Sequence, residues 1–250
     1  MTTLLEVRSL KKHFGGLRAV NDVSFTIAEG EILGLIGPNG AGKTTLFNLI
    51  SGVLRPDHGS LFFAGEDVTA WSPDKIARRG LARTHQIVKP LNDLSVLDNV
   101  TVGACFGREN LPLRDARNVA REVLDFVGMA DRAGVPAHSL TIAGKKRLEV
   151  ARALAARPRL ILLDEVLSGL NPTEVARLIG LVRSLPQRGI AVFLIEHVMQ
   201  AIMHLSHRIM VLNFGQKIAE GPPEEVARHP QVVEAYLGDP NIAEKLTGSG

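Results

Sequence analysis

The sequence predicts an α/β fold built on a mostly parallel sheet, with a helical segment set into its middle. Three observations predict it. Short apolar strand segments alternate with amphipathic helices, the pattern of a parallel sheet covered on both faces. A glycine-rich loop joins one of those strands directly to a helix. Between about residues 95 and 156 strand signals give way to helical periodicity, and then the strands return. The chain has 250 residues, enough for one large α/β domain or one domain with a modest insert.

The elements follow in order. Leu4–Arg8 and Ser24–Ile27 read as short strands, and Glu31–Ile36 as a compact apolar strand. A helix runs from Lys43 to about Ile50, and Ser60–Phe63 is another strand. Ser72-Pro73-Asp74 starts a helix with proline in its first turn. The middle is helical over Ser95–Val102, Leu113–Val127 and Gly144–Arg157, where Leu148, Ala151, Leu154 and Ala155 recur at helical spacing. Strands resume at Leu160–Leu163, Ile190–Ile195 and Arg208–Leu212, separated by helices at Pro172–Leu185 and Val198–Leu205. Glu224–Leu237 reads as one or two short helices before a polar tail. The implied organisation is one domain over 1–250: a core from 1–90 and 157–238, a helical subdomain over about 91–156, and a tail over 239–250.

Composition narrows the function classes. The longest unbroken apolar run, Ile190–Ile195, has six residues, against roughly 20 for a spanning helix. There are 29 Lys and Arg against 26 Asp and Glu, a net charge of +3, and aromatics make up 4%. That is weak ground for a nucleic-acid surface, which needs clustered basic residues and stacking platforms. The single cysteine, Cys105, excludes an intramolecular disulfide and lies between Ala104 and Phe106, with no charge to activate it. Residues 1–9 carry no signal peptide, so the expected compartment is the cytoplasm.

The glycine-rich loop carries the chemistry. Gly37-Pro-Asn39-Gly40-Ala41-Gly42-Lys43-Thr44-Thr45 fits the G-x-x-x-x-G-K-[ST] pattern of a phosphate-binding loop, in its required place between strand and helix. Glycines let successive N–H groups converge on phosphate oxygens, and the following helix points its N-terminus at the same anion. Lys43 then neutralises the β- and γ-phosphates, and the Thr44 hydroxyl ligates Mg²⁺.

Leu160-Ile-Leu-Leu-Asp164-Glu165 is an apolar strand ending in two carboxylates, where ligands of open α/β sheets collect. Asp164 can hold Mg²⁺ there. Glu165 is the candidate general base for a water attacking the γ-phosphate.

With these two motifs, four further segments resemble the ATP-binding subunit of an ABC transporter, in that family's order. They are Arg83-Thr-His-Gln86, Ser139 to Leu154, Ser168-Gly-Leu-Asn-Pro172 and Ile195-Glu-His197. Gly15–Val23, the Arg-Thr-x-Gln stretch, Leu94–Gly103 and Glu234-Ala-Tyr-Leu-Gly238 look like the branched-chain amino acid importer group, in its "G"-type ATPase subunit. The resemblance implies a P-loop NTPase (ABC ATPase) fold with a mostly parallel sheet, an N-terminal antiparallel β portion and an inserted helical subdomain.

It also implies roles. Phe14 matches the aromatic that stacks on adenine, with Val20 beside it. Gln86 matches the glutamine that contacts Mg²⁺ and the attacking water. His197 matches the histidine on the γ-phosphate. The family's Leu-Ser-Gly-Gly-Gln signature, which closes the partner's site, becomes Leu140-Thr141-Ile142-Ala143-Gly144. Thr141 keeps a hydroxyl, but a β-branched Ile142 resists φ > 0. Either the backbone is re-routed with help from Gly144, or the partner's site is weakened and hydrolysis is asymmetric; a third arrangement has Thr141 and the helix dipole sufficing at both sites. Asn171 replaces a usual Asp, and His85 a usual Phe.

The implied cofactors are ATP and Mg²⁺. The implied partners are a second ABC ATPase subunit in a hetero- or homodimer, two transmembrane permeases and, indirectly, a periplasmic substrate-binding protein, with no nucleic acid. The implied place is the cytoplasmic face of the inner membrane. An exporter-type ATPase, for example for lipopolysaccharide, and a soluble nucleic-acid-associated ABC protein are the competing readings.

Overall fold

The computed structural model describes residues 2–84 and 89–236. Strands β1 (Thr3–Phe14) and β2 (Leu17–Ala28) form a hairpin, followed by β3 (Ile32–Ile36), helix α1 (Lys43–Ile50), β4 (His58–Phe63), β5 (Glu66–Asp67), α2 (Pro73–Arg79) and β6 (Leu81–Arg83). Helices α3 (Val96–Phe106), α4 (Leu113–Phe126) and α5 (Ile142–Ala155) come next. Then follow β7 (Leu160–Asp164), α6 (Pro172–Ser184), β8 (Ala191–Ile195), α7 (Met199–Leu205), β9 (Arg208–Asn213), β10 (Gln216–Gly221), α8 (Pro223–Ala227) and α9 (Pro230–Tyr236).

Two sheets result. One is antiparallel with the order β2-β1-β4-β5. The other runs β10-β9-β3-β8-β7-β6, with β3, β6, β7, β8 and β9 parallel and β10 antiparallel to β9. The parallel strands β3, β7 and β8 are buried at every residue, so their side chains alternate between two cores. Leu33, Leu35, Leu160, Leu162 and Phe193 face the antiparallel sheet and α1. Ile32, Ile161, Leu163, Val192 and Leu194 face the other helices. Phe193 packs its ring 4.9 Å from that of Phe47 on α1 and 5.4 Å from that of Phe25 on β2. On the opposite face, a Cβ at Gly34 would lie 2.5 Å from the Ser206 hydroxyl and 2.8 Å from Ile202, so only glycine lets α7 sit this close to β3.

Helices α3, α4 and α5 pack against one another, and their apolar faces join the same core as the second face of the parallel sheet. Cys105 packs there as a partly buried apolar residue. The elements sit where the sequence places them, with three differences. β1 and β2 have 12 residues each and run well beyond Leu4–Arg8 and Ser24–Ile27, because their outer ends carry exposed polar residues and irregular register. β5 and β6 are two and three residues long, too short to carry a pattern, and the sequence predicts neither. β10 is polar and pairs through its backbone at the sheet edge, so it lacks an apolar pattern.

Candidate active site

The phosphate loop and the ends of β7 and β8 meet at one cleft. It has a volume of about 380 Å³ and is lined by Phe14, Leu17, Ala19, residues 39–45, Glu165 and His197. Parallel pairing brings this about, since Asp164 at the end of β7 lies opposite Ile195 at the end of β8. Both carboxylates and the histidine are thereby carried to the edge that the loop after β3 overhangs.

The loop suits an anion. Gly37, Gly40 and Gly42 all have positive φ, and a Cβ at Gly42 would come within 2.2 Å of the Ala19 carbonyl. α1 starts with no side-chain cap and no acid in its first turn, which leaves its first N–H groups and its dipole to a ligand. Lys43 is 8% exposed and donates to the carbonyls of Gly37 at 2.6 Å and Pro38 at 3.0 Å. Burial lowers its pKa, and the charges of Glu165 and Asp164 oppose that shift. Thr44 is exposed in the cleft.

Asp164 is 3% exposed and ion-paired with Arg83 at 3.1 Å. Its N–H donates to the Thr84 hydroxyl at 3.2 Å. Glu165 meets His197, with Oε1 2.7 Å from Nε2, so the candidate base and the candidate phosphate contact touch directly. Among the described residues no group of three or more His, Cys, Asp or Glu could hold a metal. That is compatible with Mg²⁺, which takes one or two protein ligands and completes its shell with waters and phosphate oxygens. A buried Asp164 at the end of β7 and an exposed Thr44 in the cleft fit that donor set.

Several expectations are corrected or refined. Phe14 is 45% exposed at the cleft, but Val20 is fully buried in the core. Strand alternation turns Val20 inward, and Leu17 and Ala19 line the cleft instead. Neither Ile142 nor Gly144 has positive φ, so the backbone is not re-routed. Ile142 is simply the first residue of α5, 69% exposed, and Thr141 caps the helix by accepting from the Gly144 N–H at 3.1 Å. Ala143 and Gly144 line a separate groove with Arg147, Glu174 and Arg177. Asn171 caps α6 in a two-way box with Glu174, at 3.0 and 3.1 Å. An amide accepts there as an Asp would, which accounts for the replacement. His85 and Gln86 lie outside the described residues.

Three residues near the cleft lie in segments that carry the resemblance, yet the sequence assigns none of them a role. Arg83 binds Asp164, the Asn48 side chain at 2.6 Å and the Ser51 hydroxyl at 3.2 Å. Lys146 on α5 donates to the carbonyls of Glu165 and Ser168. Glu196 accepts from the Leu167 N–H at 2.8 Å. Each contact joins elements far apart in sequence, so no spacing rule reports it.

Glu196 is 3% exposed. Burial pushes its carboxyl up from 4.5 to about 7, against the Leu167 N–H and the charge of Lys146, with Glu165 adding to the rise. The folded state thus holds this proton more tightly than the unfolded chain does. The stability this contributes is complete below about pH 4.5 and is lost as pH rises through about 7. Glu196→Gln keeps an acceptor for Leu167 and removes the titration. Urea unfolding at about pH 5 and pH 8 should show a wild-type loss on the order of 1–3 kcal/mol that is absent in the variant. Equal pH slopes would contradict this.

Comparison with known proteins places the chain. Residues 20–168 match the ABC transporter family model, and residues 216–240 match the model described as branched-chain amino acid ATP-binding cassette transporter. The chain is 36% identical over 94% of its length to the high-affinity branched-chain amino acid transport ATP-binding protein BraF of Pseudomonas aeruginosa, covering 98% of that protein. It is 37% identical over 96% of its length to the lipopolysaccharide export system ATP-binding protein LptB of Acidithiobacillus ferridurans, covering 98% of it. A crystal structure of an ABC transporter's ATP-binding cassette in its ADP conformation superposes with a TM-score of 0.86 at 29% identity, over 96% of this chain and all of that one. A nucleotide-binding loop, a carboxylate strand and a shared cassette fold lead to one conclusion: the chain belongs to the ABC transporter ATP-binding family, the ATPases that couple ATP hydrolysis to transport.

Proposed function

We propose that this chain is the ATP-hydrolysing subunit of an importer for branched-chain or related amino acids. The observation that carries the substrate class is the match of residues 216–240 to the branched-chain transporter model, joined by 36% identity to BraF across nearly the whole chain. ATP lies with its phosphates on the N-terminus of α1, held by the N–H groups of residues 39–45 and by Lys43, with Phe14 against the base. Thr44 and Asp164, with Gln86, would hold Mg²⁺, which when bound would shield the phosphate charge. Glu165 takes the proton of the attacking water, and His197 orients Glu165 and the γ-phosphate.

The site is completed by a second ABC ATPase subunit docked head to tail. In that dimer the helical subdomain of about residues 91–156 carries Thr141, Ile142, Ala143 and Gly144 to the partner's nucleotide. The N-terminal dipole of α5 and the threonine hydroxyl that caps it stand there, where glycines would allow closer approach. The dimer sits under two permeases at the cytoplasmic face of the membrane, fed by a periplasmic binding protein. Among the described residues no helix is long and apolar enough to cross a membrane, so the permeases supply the path.

The test is ATP hydrolysis by the assembled complex in vesicles. A leucine-loaded binding protein should stimulate it several-fold. The second reading, lipopolysaccharide export, is favoured by the identity to LptB. Stimulation by lipopolysaccharide with no response to amino acids would replace the first reading with the second.

A further inference from the structure

Glu165 occupies a backbone conformation that its residue type disfavours. Its φ is +52°, in the left-handed region, which for a residue with a Cβ is strained by about 1–2 kcal/mol. No proline follows to stiffen the turn, since the next residue is Val166. Such a conformation persists only where the surroundings over-determine it.

Three fasteners do so here. The Glu165 N–H donates to the Ile195 carbonyl at 2.9 Å. The Leu167 N–H donates to the Glu196 carboxylate at 2.8 Å. The Lys146 ammonium donates to the Glu165 carbonyl at 2.9 Å and to the Ser168 carbonyl. The first two come from β8 and the residue after it, inside the same sheet. The third alone comes from α5. Lys146 is 9% exposed, and an ammonium so placed needs the carbonyl oxygens and nearby carboxylates to be tolerated. Its burial lowers its pKa, opposed by the charges of Glu196, Glu165 and Glu149. A side chain with this little freedom behaves as a strut between the helix and the turn.

We propose that Lys146 is a positioning residue for hydrolysis: reaching from α5, it ties together the carbonyls of Glu165 and Ser168 and so fixes the direction in which the Glu165 carboxylate points. This rests on the reading of Glu165 as general base. The same α5 begins at Ile142, behind the Thr141 cap and four residues, or just over one turn, from Lys146. The segment that faces the partner's nucleotide and the strut behind this chain's own base are therefore one rigid piece. A movement of α5 at one ATP changes the aim of the base at the other.

The experiment uses the assembled complex. Lys146→Met keeps the length of the side chain and removes its donors. It should lower kcat by about 10- to 100-fold, in the range of other lost positioning contacts, while the Kd for ATP stays within about twofold. On a Glu165→Gln background the same change should add less than about a further twofold, since its effect passes through Glu165. Lys146→Arg, which still donates to two carbonyls, should recover at least a third of wild-type kcat.

An unchanged kcat in Lys146→Met overturns the proposal, as does a full additional loss on the Glu165→Gln background. If Lys146→Met also loses ATP affinity, Lys146→Arg decides. Recovery of kcat upholds the strut, and a loss equal to that of Met overturns it. Failure of the wider reading looks different, because Glu165→Gln alone would then hydrolyse ATP normally.

Discussion

Glu165→Gln should lower ATP turnover by the assembled complex by roughly 10²–10⁴-fold, or about 3–5 kcal/mol of transition-state stabilisation, while leaving ATP binding intact. The reason is local. The amide has the same shape, so it can still accept from His197 across the 2.7 Å contact and keep its place on the cleft wall. Lys43, Thr44 and the N–H groups of the loop, which bind the phosphates, are untouched. Only the capacity to take a proton is lost. The variant should therefore hold ATP in a long-lived closed dimer, detected as a slow off-rate of labelled nucleotide and a larger hydrodynamic size. Measured turnover within threefold of wild type would falsify the assignment of Glu165 as the base. A drop in ATP affinity parallel to the drop in rate would assign it to binding instead.

How much of this was legible depends on how local each cause is. The phosphate loop was readable in full, because its glycines, lysine and threonine act within nine residues, and α1 begins and ends where its pattern does, at Lys43 and Ile50. β7 and β8 were readable because a strand buried on both faces must be apolar at every position. β10 was not, since a polar edge strand is held by backbone bonds that leave no mark in the side chains. Val20 was misplaced at the cleft, because the resemblance supplies a neighbourhood while the alternation of β2 decides which face a residue takes. Arg83, Lys146 and Glu196 escaped for another reason. Their partners lie 81, 19 to 22 and 29 residues away; the placing of β7 between β6 and β8 brings Arg83 and Glu196 to theirs, and the packing of α5 brings Lys146. The left-handed turn at Glu165 was equally hidden, since nothing in Asp164-Glu165-Val166 favours that conformation.

Arg83→Met should destabilise the fold by about 3–5 kcal/mol, the range for removing one member of a buried ion pair. Arg83 and Asp164 have side chains 9% and 3% exposed, so neither can turn to water when the other is lost. The guanidinium also serves Asn48 and Ser51 on the α1 side and lies 5.7 Å above the ring of Phe47. One planar fork thus joins β6, β7 and α1 beneath the nucleotide site. Lys in its place keeps the charge but cannot fan out to three partners, so Arg83→Lys should recover less than half of the loss. Asp164→Asn on the Arg83→Met background should regain on the order of 1–2 kcal/mol, because the charge left buried is then gone. Urea denaturation of the four proteins checks this. A loss below about 1 kcal/mol in Arg83→Met, or no relief from Asp164→Asn, would mean that the pair holds no burden in the fold. If the predicted order is found, Asp164 owes its fixed place at the end of β7 to Arg83, and the residue proposed to hold Mg²⁺ is set by a strand three residues long that pairs alongside it.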